Sequence, residues 1–135
     1  MSNIHNKVRK VLKAACLEAG KIISANYGKD KNIRSKGAND WVTTQDIKVE
    51  KVIINIVKKV FPNSNFIGEE TGASGNNQAM TWVIDPIDGT NNYIHDYPFF
   101  CTSIGVMMKG KITYGAIFDS NRNEFFYAQK DAGAF

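Results

Sequence analysis

Apolar residues open the chain at helical spacing. Ile4, Val8, Val11/Leu12, Ala15, Ala19 and Ile22/Ile23 recur every three or four positions, which predicts an amphipathic helix from residue 4 to about 27. Gly28 marks its stop. Residues 28–41 are rich in Lys, Asn, Asp and Gly and read as an exposed, mobile loop. A second helix begins near Thr44, with Val49, Val52/Ile53, Ile56/Val57 and Val60 on its apolar face. Pro62 ends it, because proline cannot extend the hydrogen-bond ladder.

The period then shortens. Asn65-Phe66-Ile67 is a short strand candidate, and the small, polar stretch 71–78 reads as a loop. Thr81-Trp82-Val83-Ile84 is a compact apolar run and predicts a buried strand. Beyond Pro98, residues 99–108, 112–118 and 124–129 are strand-like, with short connectors Lys109-Gly110-Lys111 and Ser120-Asn121-Arg122-Asn123. Such connectors predict an antiparallel meander. The order therefore implies an α+β fold: two amino-terminal helices packed on an antiparallel sheet.

Composition adds limits. A chain of 135 residues makes one domain at most. Its 43% hydrophobic and 22% charged residues are ordinary for a globular protein, and eight Phe, five Tyr and two Trp supply a core. The formal charge of +4 suits an anionic partner but falls short of a nucleic-acid binder. No apolar run approaches the ~20 residues of a membrane span, and the first residues contain no signal-peptide core. The two cysteines have no metal-type spacing; Cys16 in a helix and Cys101 in a strand read as buried free thiols. The expectation is a reducing cytoplasm.

The carboxylates carry the chemistry. Of 13 acidic residues, Asp46, Glu69, Glu70, Asp85 and Asp88 stand out. Glu69-Glu70 and Asp85 each follow a strand run, and Asp85 comes directly after Trp-Val-Ile, where a bare carboxylate is costly to bury. A divalent cation removes that cost, and hard cations such as Mg²⁺ take carboxylate, carbonyl and water oxygens. In Asp85-Pro86-Ile87-Asp88 the proline stiffens the turn, so two carboxylates and the Ile87 carbonyl converge. Gly89 lets the backbone approach a ligand, and a helix starting at Thr90 would offer free N–H groups to an anion. Taken alone, Glu69-Glu70 would be a solvated strand end and Asp46 a helix cap. His95 reads as a hydrogen-bonded loop histidine and His5 as a surface residue.

The segment from Trp82 through Asp85-Pro86-Ile87-Asp88-Gly89-Thr90 to Tyr93 resembles the first signature of the inositol monophosphatase family. Phe66-Ile67-Gly68-Glu69-Glu70 resembles the family's Gly-Glu-Glu motif. Asp40-Trp41-Val42-Thr43-Thr44-Gln45-Asp46, with Val49-Glu50 behind it, resembles its Asp-x-Val-Thr-x-x-Asp segment. Gln45 stands where Thr is usual and Trp41 where an aliphatic residue is usual; neither is expected to touch a ligand.

The resemblance implies a Mg²⁺-dependent phosphate-monoester hydrolase acting on myo-inositol monophosphate. Its ions number two or three, Mn²⁺ can substitute, and Li⁺ or Ca²⁺ inhibits. Glu69, Asp85 and the Ile87 carbonyl would hold one ion. Asp85 and Asp88 would hold a second, about 3.5–4 Å away as in two-metal sites. Glu70 would lie in the outer shell, and Asp46 would hold a weaker third ion or its water. Thr90, hydrogen-bonded near Asp46, would orient the attacking water, and Glu69 shares in its activation. Asp88 and the N–H groups of Gly89 and Thr90 would contact the substrate, and Lys36 lies in a loop that folds over the metals. A homodimer is implied; a membrane and nucleic acid are not.

The family's second signature, Trp-Asp-x-Ala-Ala-Gly, is absent, and residues 132–135 resemble the start of a further strand. The expectation is thus that residues 1–135 are the amino-terminal portion of the family's layered α/β sandwich, catalytically dead or nearly so alone, and poorly behaved. A 3′(2′),5′-bisphosphate nucleotidase, a fructose-bisphosphatase and a non-catalytic metal-binding or interaction fragment remain as alternatives.

Overall fold

The computed structural model describes residues 2–38, 40–75 and 79–135, the side chains of Ser2 and Asp40 apart. Helix α1 (Ser2–Asn26) and helix α2 (Thr44–Val60) pack on one face of a seven-stranded sheet. The sheet strands are β3 (Asn65–Gly68), β4 (Gly72–Ser74), β5 (Met80–Asp88), β6 (Cys101–Met108), β7 (Lys111–Asp119), β8 (Glu124–Gln129) and β9 (Gly133–Ala134). Two further short strands, β1 (Arg34–Gly37) and β2 (Asp40–Val42), form a separate hairpin, and a short helix α3 (Thr90–Ile94) follows β5.

The two-helix, strand-meander reading holds. The strand order is β4-β3-β5-β6-β7-β8-β9, and β6 to β8 form the expected antiparallel meander. The sheet is mixed rather than uniformly antiparallel, because β3 runs parallel to β5. Residues 28–41 are not a plain loop but contain the β1–β2 hairpin. All of β1 is exposed, so it has no apolar alternation for a sequence reading to detect. Residues 72–74 likewise form β4, paired with β3, although the stretch is small and polar; the last three residues of that expected loop lie outside the described residues.

The core sits between helices and sheet. The α1 stripe of Val8, Leu12, Ala15, Ala19 and Ile23 and the α2 stripe of Val49, Ile53 and Val57 are buried. They meet inward side chains of alternate strand positions, among them Trp82, Ile84, Ile104, Val106, Tyr114 and Phe118. Trp82 satisfies its indole N–H by donating to Ser64 Oγ at 3.1 Å. His5 is not merely on the surface: it is half-buried, with Nδ1 2.5 Å from the Tyr114 hydroxyl. Among the described residues, no helix is long and apolar enough to cross a membrane.

Cys16 is buried as expected, whereas Cys101 is only half-buried at the start of β6. Burial pushes the Cys16 thiol up to about 12 and the Cys101 thiol up to about 11, the second helped by Asp88 and Asp85. Since the thiolate is the reactive form, both should be sluggish at pH 8. Titration with a chromogenic disulfide should leave Cys16 unreacted until denaturant is added. Rapid modification of Cys16 in the native protein would contradict this packing.

Candidate metal centre

Two features of the sheet assemble the site. The first is the parallel pairing of β3 with β5, in which Gly68 lies opposite Ile84. Parallel neighbours run in the same direction, so the residues that follow, Glu69 and Asp85, emerge side by side. The Glu69 N–H donates to the Ile84 carbonyl at 3.1 Å, which fastens the two chains at that point. Inward Phe66 and Gly68 alternate with outward Ile67 and Glu69, so Glu69 projects on the face turned away from the helices.

The second feature is a bulge. Residues three apart on a regular strand point to opposite faces. Here Asp85 lies opposite Ser103 and Asp88 opposite Cys101, so β5 carries one more residue than β6 over this stretch. The extra residue returns Asp88 to the face of Asp85. Pro86 and Ile87 turn inward and are buried, and Thr102 Oγ1 donates to the Pro86 carbonyl at 2.9 Å.

Around this pair lies a cleft of about 220 Å³ lined by Trp41, Glu69, Asp85, Ile87, Asp88 and Gly89, together with Thr90 and Asn91. Trp41, set aside on sequence, is thus a wall of the cleft. A larger hollow of about 520 Å³ lies on the open sheet face beside Ile117 and Phe126. It is lined by no Asp, Glu or His side chain, whereas the smaller cleft gathers Glu69, Asp85 and Asp88.

Asp85 is electrostatically unhappy. Its Oδ1 is buried and has no hydrogen-bond partner. Burial raises its pKa to about 8, with a hydrogen bond shared with Glu69 and repulsion from Glu69, Asp88 and Asp46 adding to the rise. Like charges held this close stay apart unless a proton or a cation lies between them. Among the described residues, no three acidic, His or Cys side chains converge at ion-holding distances. What is assembled is the Glu69–Asp85 pair, with Asp88 acting on it through space. The donors are all oxygen, the set that suits Mg²⁺ or Mn²⁺ rather than a soft metal.

Asp46 lies at the start of α2, fully buried. It completes a capping box with Thr43: its Oδ2 accepts from the Thr43 N–H at 2.8 Å and from Thr43 Oγ1 at 2.5 Å. Its Oδ1 faces Thr90, whose hydroxyl lies 3.1 Å away and also 2.9 Å from the Ile87 carbonyl. One hydroxyl proton serves either acceptor, and Thr90 itself lines the cleft. Burial raises the Asp46 pKa, against the lowering effect of the Thr43 and Thr90 hydrogen bonds. Glu70 is nearly buried and pairs with Lys36 at 2.8 Å; Lys36 also lies 3.7 Å from Glu69. Burial raises the Glu70 pKa and the Lys36 contact opposes it. The β1–β2 hairpin therefore brings Lys36 to the acidic turn.

A clamp invisible in the sequence secures this hairpin. Buried Lys31 donates to Asp96 Oδ1 at 2.6 Å, and the Gly28 N–H donates to the same oxygen at 3.0 Å. Lys31 also lies over the Tyr93 ring, 5.1 Å from its centroid. The chain leading into β1 is thereby tied to the turn after α3. His95 is exposed and caps α3, with Nδ1 2.8 Å from the Asn91 carbonyl.

Gly89 joins the bulge to α3 with φ of 93° and ψ of 39°, in the left-handed region. A Cβ there would stand 2.9 Å from the Phe99 carbonyl oxygen. Gly89→Ala should therefore destabilise the fold by about 1–3 kcal/mol, from strain and crowding together. Urea unfolding checks this; an unchanged midpoint would mean the turn has room the geometry denies.

The sequence model of the inositol monophosphatase family matches residues 5–135. The chain belongs to the inositol monophosphatase family. It is 39% identical over 125 residues to the inositol monophosphatase of Mesembryanthemum crystallinum, covering 90% of this chain and 46% of that protein. It is 41% identical over 123 residues to the Nus factor SuhB of Escherichia coli, covering 89% of this chain and 46% of that one. The crystal structure of the SuhB protein of Bartonella henselae superposes with a TM-score of 0.92 at 35% identity, covering 96% of this chain and 51% of that chain. The chain thus spans about half the length of the relatives it matches, in their amino-terminal half.

Proposed function

We propose that the protein to which this chain contributes is a Mg²⁺-dependent phosphate-monoester hydrolase that converts myo-inositol monophosphate to myo-inositol and phosphate. The observation that carries the reading is the buried, unpartnered Oδ1 of Asp85 beside Glu69, at the ends of two parallel strands. A carboxylate pair in that position wants a cation. The all-oxygen donors and the family membership support Mg²⁺, with Mn²⁺ as substitute and Li⁺ or Ca²⁺ as inhibitors.

Glu69, Asp85 and the Ile87 carbonyl would hold one ion, and Asp85 with Asp88 a second. Asp46 would hold a third, weaker ion or its water. Bound Mg²⁺ would acidify water and neutralise phosphate charge. Thr90, turned by Asp46 and Ile87, would orient the attacking water, with Glu69 sharing its proton. The N–H groups of Gly89 and Thr90 would face the phosphate, and Asp88 would contact the substrate. Glu70 would steady Lys36 at the edge of the cleft. A homodimer in a reducing cytoplasm is part of the same reading.

The test is an assay of the full-length gene product on inositol, sugar and nucleotide phosphates, with and without Mg²⁺ and with added lithium. Mg²⁺-dependent, lithium-sensitive release of phosphate from inositol monophosphate is the expected result. Better turnover of an adenosine 3′,5′-bisphosphate or of fructose 1,6-bisphosphate would replace the substrate, and no turnover of any would remove the enzyme. A second reading, a non-catalytic interaction role, is favoured by the open apolar sheet face. It predicts partner capture without phosphatase activity.

A further inference from the structure

Helix α2 carries a second buried carboxylate one turn beyond Asp46. Glu50 has no exposed surface, and four residues' separation places it on the same helix face as Asp46. Its carboxylate reaches out of the helix to the turn after β3. Glu50 Oε2 accepts the Glu70 N–H at 2.9 Å, and Oε1 accepts the Thr71 N–H at 2.8 Å and the Thr71 hydroxyl. The backbone on both sides of the Glu69 side chain is thus held: its own N–H by the Ile84 carbonyl, the next two N–H groups by Glu50.

Gly68 fits this arrangement. A Cβ on Gly68 would lie 1.9 Å from Glu50 Oε1, so only glycine lets the carboxylate pass under the end of β3. The buried carboxyl group is tolerated because three donors satisfy its oxygens. A group held this tightly has little freedom, and neither has the turn it grips.

We infer that Glu50 is a positioning residue for the cation site: acting through the Glu70 and Thr71 backbone, it aims Glu69 at Asp85 and Glu70 at Lys36. The two buried carboxylates of α2 then divide the work. Asp46 fixes the Thr90 side of the cleft and Glu50 fixes the Glu69 side, so one helix turn sets the spacing between the two motifs. The inference rests on the cation-site reading above.

The experiment measures Mn²⁺ binding by the loss of the free-ion electron paramagnetic resonance signal, in wild type, Glu50→Gln and Thr71→Val. Each protein is held well below its own melting temperature, so affinity is read on folded molecules. Gln keeps the size of Glu50 but turns an NH₂ toward one of the backbone donors. Partners that orient metal ligands typically contribute about 10–100-fold to affinity, so Glu50→Gln should weaken Mn²⁺ by about tenfold or more. Thr71→Val removes one donor at an exposed position and should weaken it by a smaller factor. A purely structural Glu50 would lower the melting temperature and leave the affinity of the folded protein alone. If Glu50→Gln does not fold, Thr71→Val decides: unchanged affinity there overturns the inference. Tight binding by wild type with equal affinity in both variants overturns it while sparing the cation site. No Mn²⁺ binding by wild type overturns both.

Discussion

Asp85→Asn is expected to lower the affinity of the chain for Mg²⁺ or Mn²⁺ on the order of a hundredfold, while making the ion-free protein more stable. The two effects share one cause. Asp85 faces burial, an unpartnered oxygen and three neighbouring carboxylates. An asparagine keeps the shape and removes the charge, so the ion loses a ligand shared between both proposed positions. Removing a direct ligand should cost at least the upper end of the 10–100-fold that outer partners contribute. The metal-free fold loses a repulsion instead. Asp85 is only partly buried, so the gain should be about 1 kcal/mol rather than the several expected deep inside a protein. Isothermal titration and thermal melts in a chelator measure the two effects on the same samples. Equal ion affinity in wild type and variant would remove Asp85 from the site. A less stable variant would mean that the carboxylate is satisfied in a way the geometry does not reveal.

Residues 1–135 expressed alone should self-associate and turn over inositol monophosphate slowly, by several orders of magnitude relative to longer relatives. The first expectation comes from the face of the sheet that the helices leave bare. Ile117 and Phe126 lie directly opposite each other on β7 and β8 and are 46% and 52% exposed. Ile67 and Phe135 are 46% and 68% exposed. Large apolar side chains left bare on one sheet face favour association, and β9 pairs with β8 over only two residues. The bare face is continuous with the site, since Asp85, Ser103, Ile117 and Phe126 form one cross-strand row. Light scattering over a concentration series should show oligomers, and Ile117→Lys with Phe126→Lys should convert them to monomer. The second expectation follows from the donors: no third carboxylate closes on Glu69 and Asp85 among the described residues. A stable wild-type monomer with rapid turnover would contradict both.

Much of this was legible in the chain. The helical stripes of α1 and α2 are long and strongly periodic, so their existence and nearly their ends follow from spacing alone. The meander is legible because its turns are short and its strands apolar. Asp85, Asp88 and Glu69 stand out because each carboxylate follows an apolar run, where solvation is costly. These are local signals, written into a few consecutive residues.

The tertiary structure decided the rest, and each case depends on residues far apart in the chain. That β3 runs parallel to β5 cannot be read from either strand, yet it is what sets Glu69 beside Asp85. The bulge that turns Asp88 to the same face exists only relative to β6. The hairpin carrying Lys36 has no buried side and hence no period to detect, and its anchor is an ion pair between Lys31 and Asp96, 65 residues apart. Glu50 stands beside a family-like segment in the sequence, but nothing local says that its carboxylate accepts the backbone N–H groups of Glu70 and Thr71, about twenty residues on. Periodicity reports which side of an element is buried; which elements then become neighbours is settled by packing, and in this protein that choice of neighbours brings Glu69, Asp85 and Asp88 together as the candidate site.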